Sequence, residues 1–503
     1  MKKHPSKYLL FIIIIGLALR FVGITHSFPY IFHPDEPTIV RSALGIRFNP
    51  NPGHFDWPHL YVYLNYLLFM VFAKVRDFLT EFGYKEQVSF YAPIIWNDDL
   101  IFYLLTRSFT AILGALTAIP VYLAAKEVFN TRVGLLSALA ISVVPFHVWH
   151  SHYSLTDVPM TFFLAWAIYF STKIMFYPDT KNYVWAGLFT GLAASTKYNG
   201  GLIAVMVLIA HIFRVLSEPE EKLYKSSGMM KLFYSGLAAI SGFVVGTPYS
   251  VLDFDTFIRT DGPKGALWQF TNVGSTSFFE HINQFTNAFT IKLLDDFGYT
   301  LLILFVFLVA YLVVRLGTKF EFLAQKSYWF FVLPAILLIY YISGFESPRS
   351  HYYFIAYPLV IISTIGFFNT ILSSFKFSEG LKVLMWMLVL LIPFTLAIFN
   401  SLTFFREDTR LLMNTWLMRS NKQVFYDDND LEVALKGTNL PVKKIDITKS
   451  SPAQNSYLII SDDDMSRLDK DANKLNSYTK YKKIQFISNN LRNGPNILIY
   501  EVY

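Results

Sequence analysis

The sequence predicts a polytopic α-helical membrane protein of about 11 transmembrane helices, with extracytoplasmic loop helices and a small C-terminal α/β domain. Three observations carry that prediction. Long apolar stretches recur through the first 400 residues, broken by short polar loops. Hydrophobic residues make up 53% of the chain and charged ones 16%, against roughly 25% charged in soluble globular proteins. The charge is also unevenly placed, with 28 of the 79 charged side chains in residues 401–503. Such a composition excludes a disordered chain, and zero cysteine excludes disulfides, thiol catalysis and thiolate metal sites.

A helix needs about 20 residues to cross the hydrocarbon core. The apolar runs that qualify are roughly 8–27, 108–125, 134–153, 158–175, 183–196, 199–213, 232–250, 299–315, 328–343, 355–373 and 383–400. Lys2, Lys3 and Lys7 precede the first run as they would in a signal peptide, but Gly-Ile-Thr-His-Ser is a poor cleavage motif, so the run is read as a retained span. With the N-terminus inside, basic residues fall in the inner loops: Lys126 and Arg132, Lys173 and Lys181, Arg214 through Lys231 with Lys222 and Lys225, Arg315 through Lys326, and Lys376 with Lys382. Residues 60–75 are apolar enough to imitate a span, and counting them would break this parity. They are read as a helix lying along the outer leaflet. The net charge of +7 is thereby explained by orientation, and nucleic acid is not expected as a partner.

After residue 400 the pattern changes. An amphipathic helix is expected around 401–420, followed by five short strand-like runs: QVFYDD, VKKIDIT, SYLIIS, YKKIQFIS and NILIYEVY, with a helix at 463–476. Residues 1–400 are therefore assigned to the membrane domain and 401–503 to an extracytoplasmic α/β domain. Asp408 and Arg410 are expected to tie the two by a salt bridge. No glycine-rich nucleotide loop is present.

The polar residues that resist a purely structural explanation fall on one face in this topology. Asp35 and Glu36 stand between two prolines in HPDEPT, where an extended backbone is expected and adjacent carboxylates suit base and orienting roles. An exposed acidic turn would read the same way. Asp157 sits where one apolar run ends and the next begins, so it or Thr156 is either a helix cap or a cleft residue. His150 and His152 are two apart, not one helical face, and are weak metal candidates unless His33, His54 or His59 approaches them. Lys197 interrupts apolar sequence, a costly position unless it meets an anion. Arg107, at the expected start of the second span, and Arg349 with His351 in ESPRSHYY add cations suited to phosphate.

In order, HPDEPT, FDWPHLYVYL, TRSFTAILGALTAIPVYL, VWHSHYSLTDVPMTFF, GLAASTKYNGG, SHYYFIAYP and FREDTRLLMNTWL resemble the GT-C superfamily of integral-membrane glycosyltransferases, particularly the branch of protein O-mannosyltransferases and the lipid A aminoarabinose transferase. The resemblance covers most of the first 420 residues and implies a GT-C fold in a prokaryotic plasma membrane. It also implies an active site outside and a polyprenyl-phosphate-linked sugar donor reached among membrane lipids. The implied acceptor is a hydroxyl on protein, lipid or glycan. It further implies Asp35 as base, with Glu36 and Asp157 orienting sugar, acceptor or metal. Arg107, Lys197, Arg349 and His59 are implied as contacts to the donor phosphate. His33, Trp57, His152, His351 and Tyr352 are implied as supporting or acceptor-site residues. Trp57-Pro58-His59 departs from the family's lysine- or histidine-proline-proline, and Ser350 and His351 separate Arg349 from Tyr352. No cofactor is required, while a divalent metal ion is compatible with the acidic residues. A flippase, ligase or polymerase acting on a similar lipid is the alternative class.

Overall fold

The computed structural model describes residues 4–81, 98–217, 226–262, 264–272, 274–319, 325–426, 429–447, 449–461 and 480–503. The expected helix at 463–476, and Lys222 and Lys225, lie outside them. The chain divides into two compact units, one of residues 1–21 and 38–398, the other of residues 22–37 and 399–503. The segment carrying Asp35 and Glu36 thus belongs to the second.

Among the described residues, eight helices of the first unit and its continuation are long and apolar enough to cross a membrane, fewer than the eleven expected. The other three expected spans are helical but short: Pro5–Phe21, Thr131–Val143 and Thr180–Thr196, with 17, 13 and 17 residues. The middle one shows why. Asn130 caps it by accepting from the Val133 N–H at 3.0 Å, but Pro145 has no N–H to continue the ladder and disfavours helical backbone before it. Val144 is accordingly extended (φ −61°, ψ 119°), and a separate helix, Pro145–His150, begins. The run at 60–75 forms the helix Leu60–Glu81, which is not among the eight.

Packing between apolar helices in lipid relies on close approach rather than on water exclusion. Thr180–Thr196 and Ser226–Gly246 meet through Gly187, Gly191 and Gly242, where a Cβ at Gly187 or Gly191 would lie 2.0 Å from the Ser235 or Ala239 carbonyl oxygen. A buried cation fixes another junction. Arg20 donates to the Gly16 and Ser142 carbonyls at 2.9 Å each, to Ser151 Oγ at 3.1 Å and to His147 Nδ1 at 2.9 Å. It thereby fastens the first helix to both sides of the break at Val144, and a charge costly in lipid has four hydrogen-bond partners.

The second unit holds a five-stranded sheet: β1 (Val424–Tyr426), β2 (Val442–Lys444), β3 (Ser456–Ser461), β4 (Lys482–Ile487) and β5 (Ile497–Val502), in the order β2-β1-β3-β5-β4. All five expected strand runs appear. β1 pairs in parallel with β2 and β3, while β5 runs antiparallel to β3 and β4. Alternation places Tyr457 and Ile459 on one face with Met413, Leu417, Leu431 and Leu435, and Leu458 and Ile460 on the other with Phe425 and Leu498. All six β3 residues are buried, as its central position requires. The expected amphipathic helix at 401–420 is split: Glu379–Phe405 ends there, and Thr409–Leu417 starts anew behind Asp408, whose side chain accepts from the Arg410 N–H.

Asp408 and Arg410 do form a salt bridge, but with each other, inside this unit (2.8 Å). Asp408 also accepts from Ser27 Oγ at 3.1 Å, and the Arg410 guanidinium lies 3.8 Å from the Phe32 ring centroid. These contacts tie 22–37 to the sheet unit.

Candidate active site

The polar residues at the helix ends of the first unit converge on Asp157. This residue opens the helix Asp157–Phe176 and is buried, 3% exposed. Thr156 stands at the N-cap position, but its side chain makes no cap bond. Asp157 instead divides its two oxygens: Oδ1 accepts from Lys197 Nζ at 2.6 Å, and Oδ2 from His150 Nε2 at 3.3 Å. Lys197 is positioned by the junction where Thr180–Thr196 ends and the 3-10 turn Tyr198–Ile203 begins. Its own backbone is extended there (φ −154°, ψ 132°). The ammonium also lies 5.3 Å from the Tyr352 ring centroid and keeps about a quarter of its side chain exposed (23%). A short charge-assisted bond of this kind orients the lysine.

The 3-10 segment Ser350–Ala356 supplies the opposite wall. His351 stacks on His150 (5.3 Å, 20°) and meets Tyr352 edge-on (4.6 Å, 87°), while Arg349 immediately before it is exposed. Asp157, Lys197, His351 and Tyr352 are thus brought together as the sequence suggests, and His150 joins them. The sequence offered His150 only as a weak metal candidate, because spacing does not reveal that a separate helix aims it at Asp157.

Other candidates are placed differently. Arg107 does not open its span: it lies within the helix Asp98–Leu116, in a span beginning at Leu100, and is fully buried. His152 is buried and directs Nδ1 to the Val148 carbonyl at 3.0 Å, one turn back. His59 is buried, donates from Nε2 to the His54 carbonyl at 2.7 Å and from its backbone N–H to Thr247 Oγ1 at 3.1 Å. Burial lowers its pKa to about 4, partly opposed by the bond to the His54 carbonyl, so the ring is neutral near pH 7. A neutral His59 offers a phosphate no charge. Trp57 beside it is half-buried.

In the second unit, the Asp35 backbone N–H reaches His33 Nδ1 at 3.2 Å, and Asp35 is half-buried. Glu36 is fully buried and, contrary to the extended backbone expected, begins the helix Glu36–Gly45. Pro37 falls in its first turn, where the missing N–H costs nothing.

Among the described residues, no three histidine, aspartate or glutamate side chains gather as a metal site. Asp157 already commits both oxygens to Lys197 and His150. Asp157 as placed here is therefore not free to serve as a metal ligand.

Fold and site together define a multi-pass helical membrane protein with an ion-paired cluster at its helix ends. Residues 104–245 match the dolichyl-phosphate-mannose-protein mannosyltransferase family. Dolichyl-phosphate-mannose–protein mannosyltransferase 1 of Saccharomyces cerevisiae is 31% identical over 155 residues, which is 30% of this chain but only 18% of the yeast protein. The fold resembles the Archaeoglobus fulgidus oligosaccharyltransferase crystallised with a tethered acceptor peptide (TM-score 0.53, 13% identity, 96% of this chain and 73% of that one). A second structure of that archaeal enzyme, with zinc and sulfate, aligns with TM-score 0.50 and 16% identity over 85% of this chain and 61% of that one. Over residues 104–245 the chain is thus similar to protein mannosyltransferases, one of the two groups that its motifs resemble.

Proposed function

We propose that the protein transfers a sugar from a polyprenyl-phosphate-linked donor to a hydroxyl acceptor, with inversion, on the extracytoplasmic side of a prokaryotic plasma membrane. The observation that carries this reading is the Lys197–Asp157–His150 cluster, a partly exposed ammonium aimed by a buried carboxylate at the end of membrane helices. The family match to residues 104–245 supports the donor class. The acceptor oxygen attacks the anomeric carbon as the bond from that carbon to the phosphate oxygen breaks. Polyprenyl phosphate leaves, and Lys197 with Arg349 holds its growing negative charge, so their contacts strengthen toward the transition state.

Asp35 is kept as the group that takes the acceptor's proton on the strength of the HPDEPT motif. Glu36 has a supporting role in keeping with its burial, and His351 and Tyr352 shape the wall beside the phosphate. The test is time-dependent loss of labelled sugar from polyprenyl-phosphate hexoses, with protein in lipid and a native membrane extract as acceptor source. Discharge by the wild type, lost in Asp35→Asn at equal folded yield, is the expected result. Bound carrier that is never discharged points to a flippase.

A further inference from the structure

Besides the Asp157 cluster, the first unit holds a second constellation. Ser42, in the helix Glu36–Gly45, lies 2.9 Å from His54 Nε2. The other ring nitrogen, His54 Nδ1, pairs with Asp56 Oδ1. The two contacts fix the tautomer. A carboxylate oxygen cannot donate, so Nδ1 carries the proton and Nε2 presents its lone pair to the Ser42 hydroxyl. Serine to base and base to orienting carboxylate is the geometry that activates a serine, and it is recognised by roles rather than by chain order.

The constellation is also held in place. Gly53 adopts a positive φ (74°), which brings the chain back toward the helix, and its N–H bonds to Asn51 Oδ1 at 3.0 Å. Past that turn, His59 Nε2 donates to the His54 carbonyl at 2.7 Å, and Tyr198 Oη to the Phe55 carbonyl at 2.7 Å. The Phe55 side chain is fully buried. The backbone that presents the imidazole is therefore braced on both sides, while His54 and Asp56 each keep 23% of their side chains exposed. A rigid base with an accessible edge is what a reacting serine requires.

We propose that Ser42, His54 and Asp56 form a nucleophilic relay that accepts the acyl group of carboxylic esters on Ser42, separately from glycosyl transfer. A histidine base that can return its proton is of most use with a basic leaving group. An alkoxide leaving an ester needs that proton, whereas a phosphate leaving a sugar does not. Ser42 Oγ attacks the ester carbonyl carbon and its proton passes to His54 Nε2. The carbon–oxygen bond to the alcohol breaks, and the alcohol departs with the proton from His54. Water then gives a proton to His54 and bonds to the acyl carbon. The Ser42 ester bond breaks, the proton returns to Ser42, and a carboxylic acid is released.

The full-length protein in lipid is treated with a fluorophosphonate probe, which forms a phosphorus–oxygen bond to Ser42 with loss of fluoride. Mass mapping is expected to place the adduct on Ser42. Ser42→Ala should abolish it, and His54→Gln should slow it by about 100-fold, the scale of general-base assistance. No adduct, or equal rates in wild type and His54→Gln, overturns the proposal. Because the chain has no cysteine, Ser42→Cys supplies a second test free of any ester. Its thiol should alkylate with iodoacetamide at least about tenfold faster than that of Ser451→Cys at an exposed site, and lose the advantage with His54→Gln. Equal alkylation rates likewise overturn it. Hydrolysis of p-nitrophenyl acetate, lost in Ser42→Ala while sugar discharge persists, identifies the acyl class and separates this site from the glycosyl-transfer site.

Discussion

Asp157 holds Lys197 at 2.6 Å through one carboxylate oxygen and His150 at 3.3 Å through the other. Removing the ammonium and removing its anchor should therefore have different consequences. Lys197→Met is expected to lower turnover by about 100-fold or more, the scale of losing one donor to developing charge. It also leaves Asp157 buried without its main partner. Asp157→Asn retains shape but leaves the lysine unaimed, so turnover should fall with a smaller effect on thermal stability than Lys197→Met produces. Turnover with a polyprenyl-phosphate sugar and the thermal midpoint in lipid together check this. Full activity in both variants would remove the cluster from the phosphate site.

How much of this was legible in the sequence depends on the range of the interactions. The apolar runs, the strand alternation and the lysine stranded at 197 are local signals, and each corresponds to an observed element. Arg20 is different: its cross-helix partners lie 122 to 131 positions away, so nothing in its neighbouring sequence marks them. The span expected at 134–153 reads as continuous apolar sequence, yet one proline inside it decides the geometry. That break is also what aims His150 at Asp157, which is why spacing alone undervalued the histidine. The grouping of Ser42, His54 and Asp56 is hidden for the same reason, since a turn at Gly53 rather than a helical or strand period brings them together, and His54 alone draws attention, as a possible metal partner.

The glycine seam between Thr180–Thr196 and Ser226–Gly246 makes a position-specific prediction. A Cβ at Gly191 would sit 2.0 Å from the Ala239 carbonyl oxygen, a backbone atom that cannot step aside without moving the helix. Gly191→Ala should cost about 1–3 kcal/mol, the range for overpacking. Gly236, on the second of these helices, has nothing within 4 Å of its Cβ position. Gly236→Ala should be neutral or stabilising by up to about 1 kcal/mol, because alanine is the better helix former. Thermal midpoints of the two variants in the same lipid decide the matter, and equal effects would refute a close-packed seam.

Stability should also depend on pH through Asp296, just before the helix Thr300–Lys319. Burial raises its pKa from 3.8 to about 7, against the opposing bond from Tyr357 Oη at 3.0 Å. Because the folded value lies above the unfolded one, the folded state binds more protons between them. The contribution is fully present below about pH 4 and is lost as pH rises toward 7. Three pKa units correspond to about 4 kcal/mol at most. Asp296→Asn does not titrate, so the midpoint of the wild type relative to the variant should fall between about pH 4 and pH 7. A constant difference would show that Asp296 titrates normally.

Asp408 gives a prediction for the second unit. It is 1% exposed and accepts from Arg410 Nε at 2.9 Å, from Arg410 Nη2 at 2.8 Å and from Ser27 Oγ at 3.1 Å. Ser27 itself holds a positive φ of 65°, a conformation a serine adopts only when something fixes it, and the Asp408 carboxylate is positioned to do so. Arg410 in turn covers the Phe32 ring. Asp408→Ala removes the acceptor for both residues and leaves a mostly buried guanidinium unpaired, a loss of about 3–5 kcal/mol. The consequence should be local before it is global. Amide hydrogen exchange should accelerate across residues 22–37, which carry Asp35 and Glu36, while β3 keeps its protection. Because the proposed base rides on that segment, sugar discharge should fall in Asp408→Ala without any change at Lys197. Unaltered exchange in 22–37 would mean that the segment is held by other contacts and that Asp408 serves only to start the helix Thr409–Leu417.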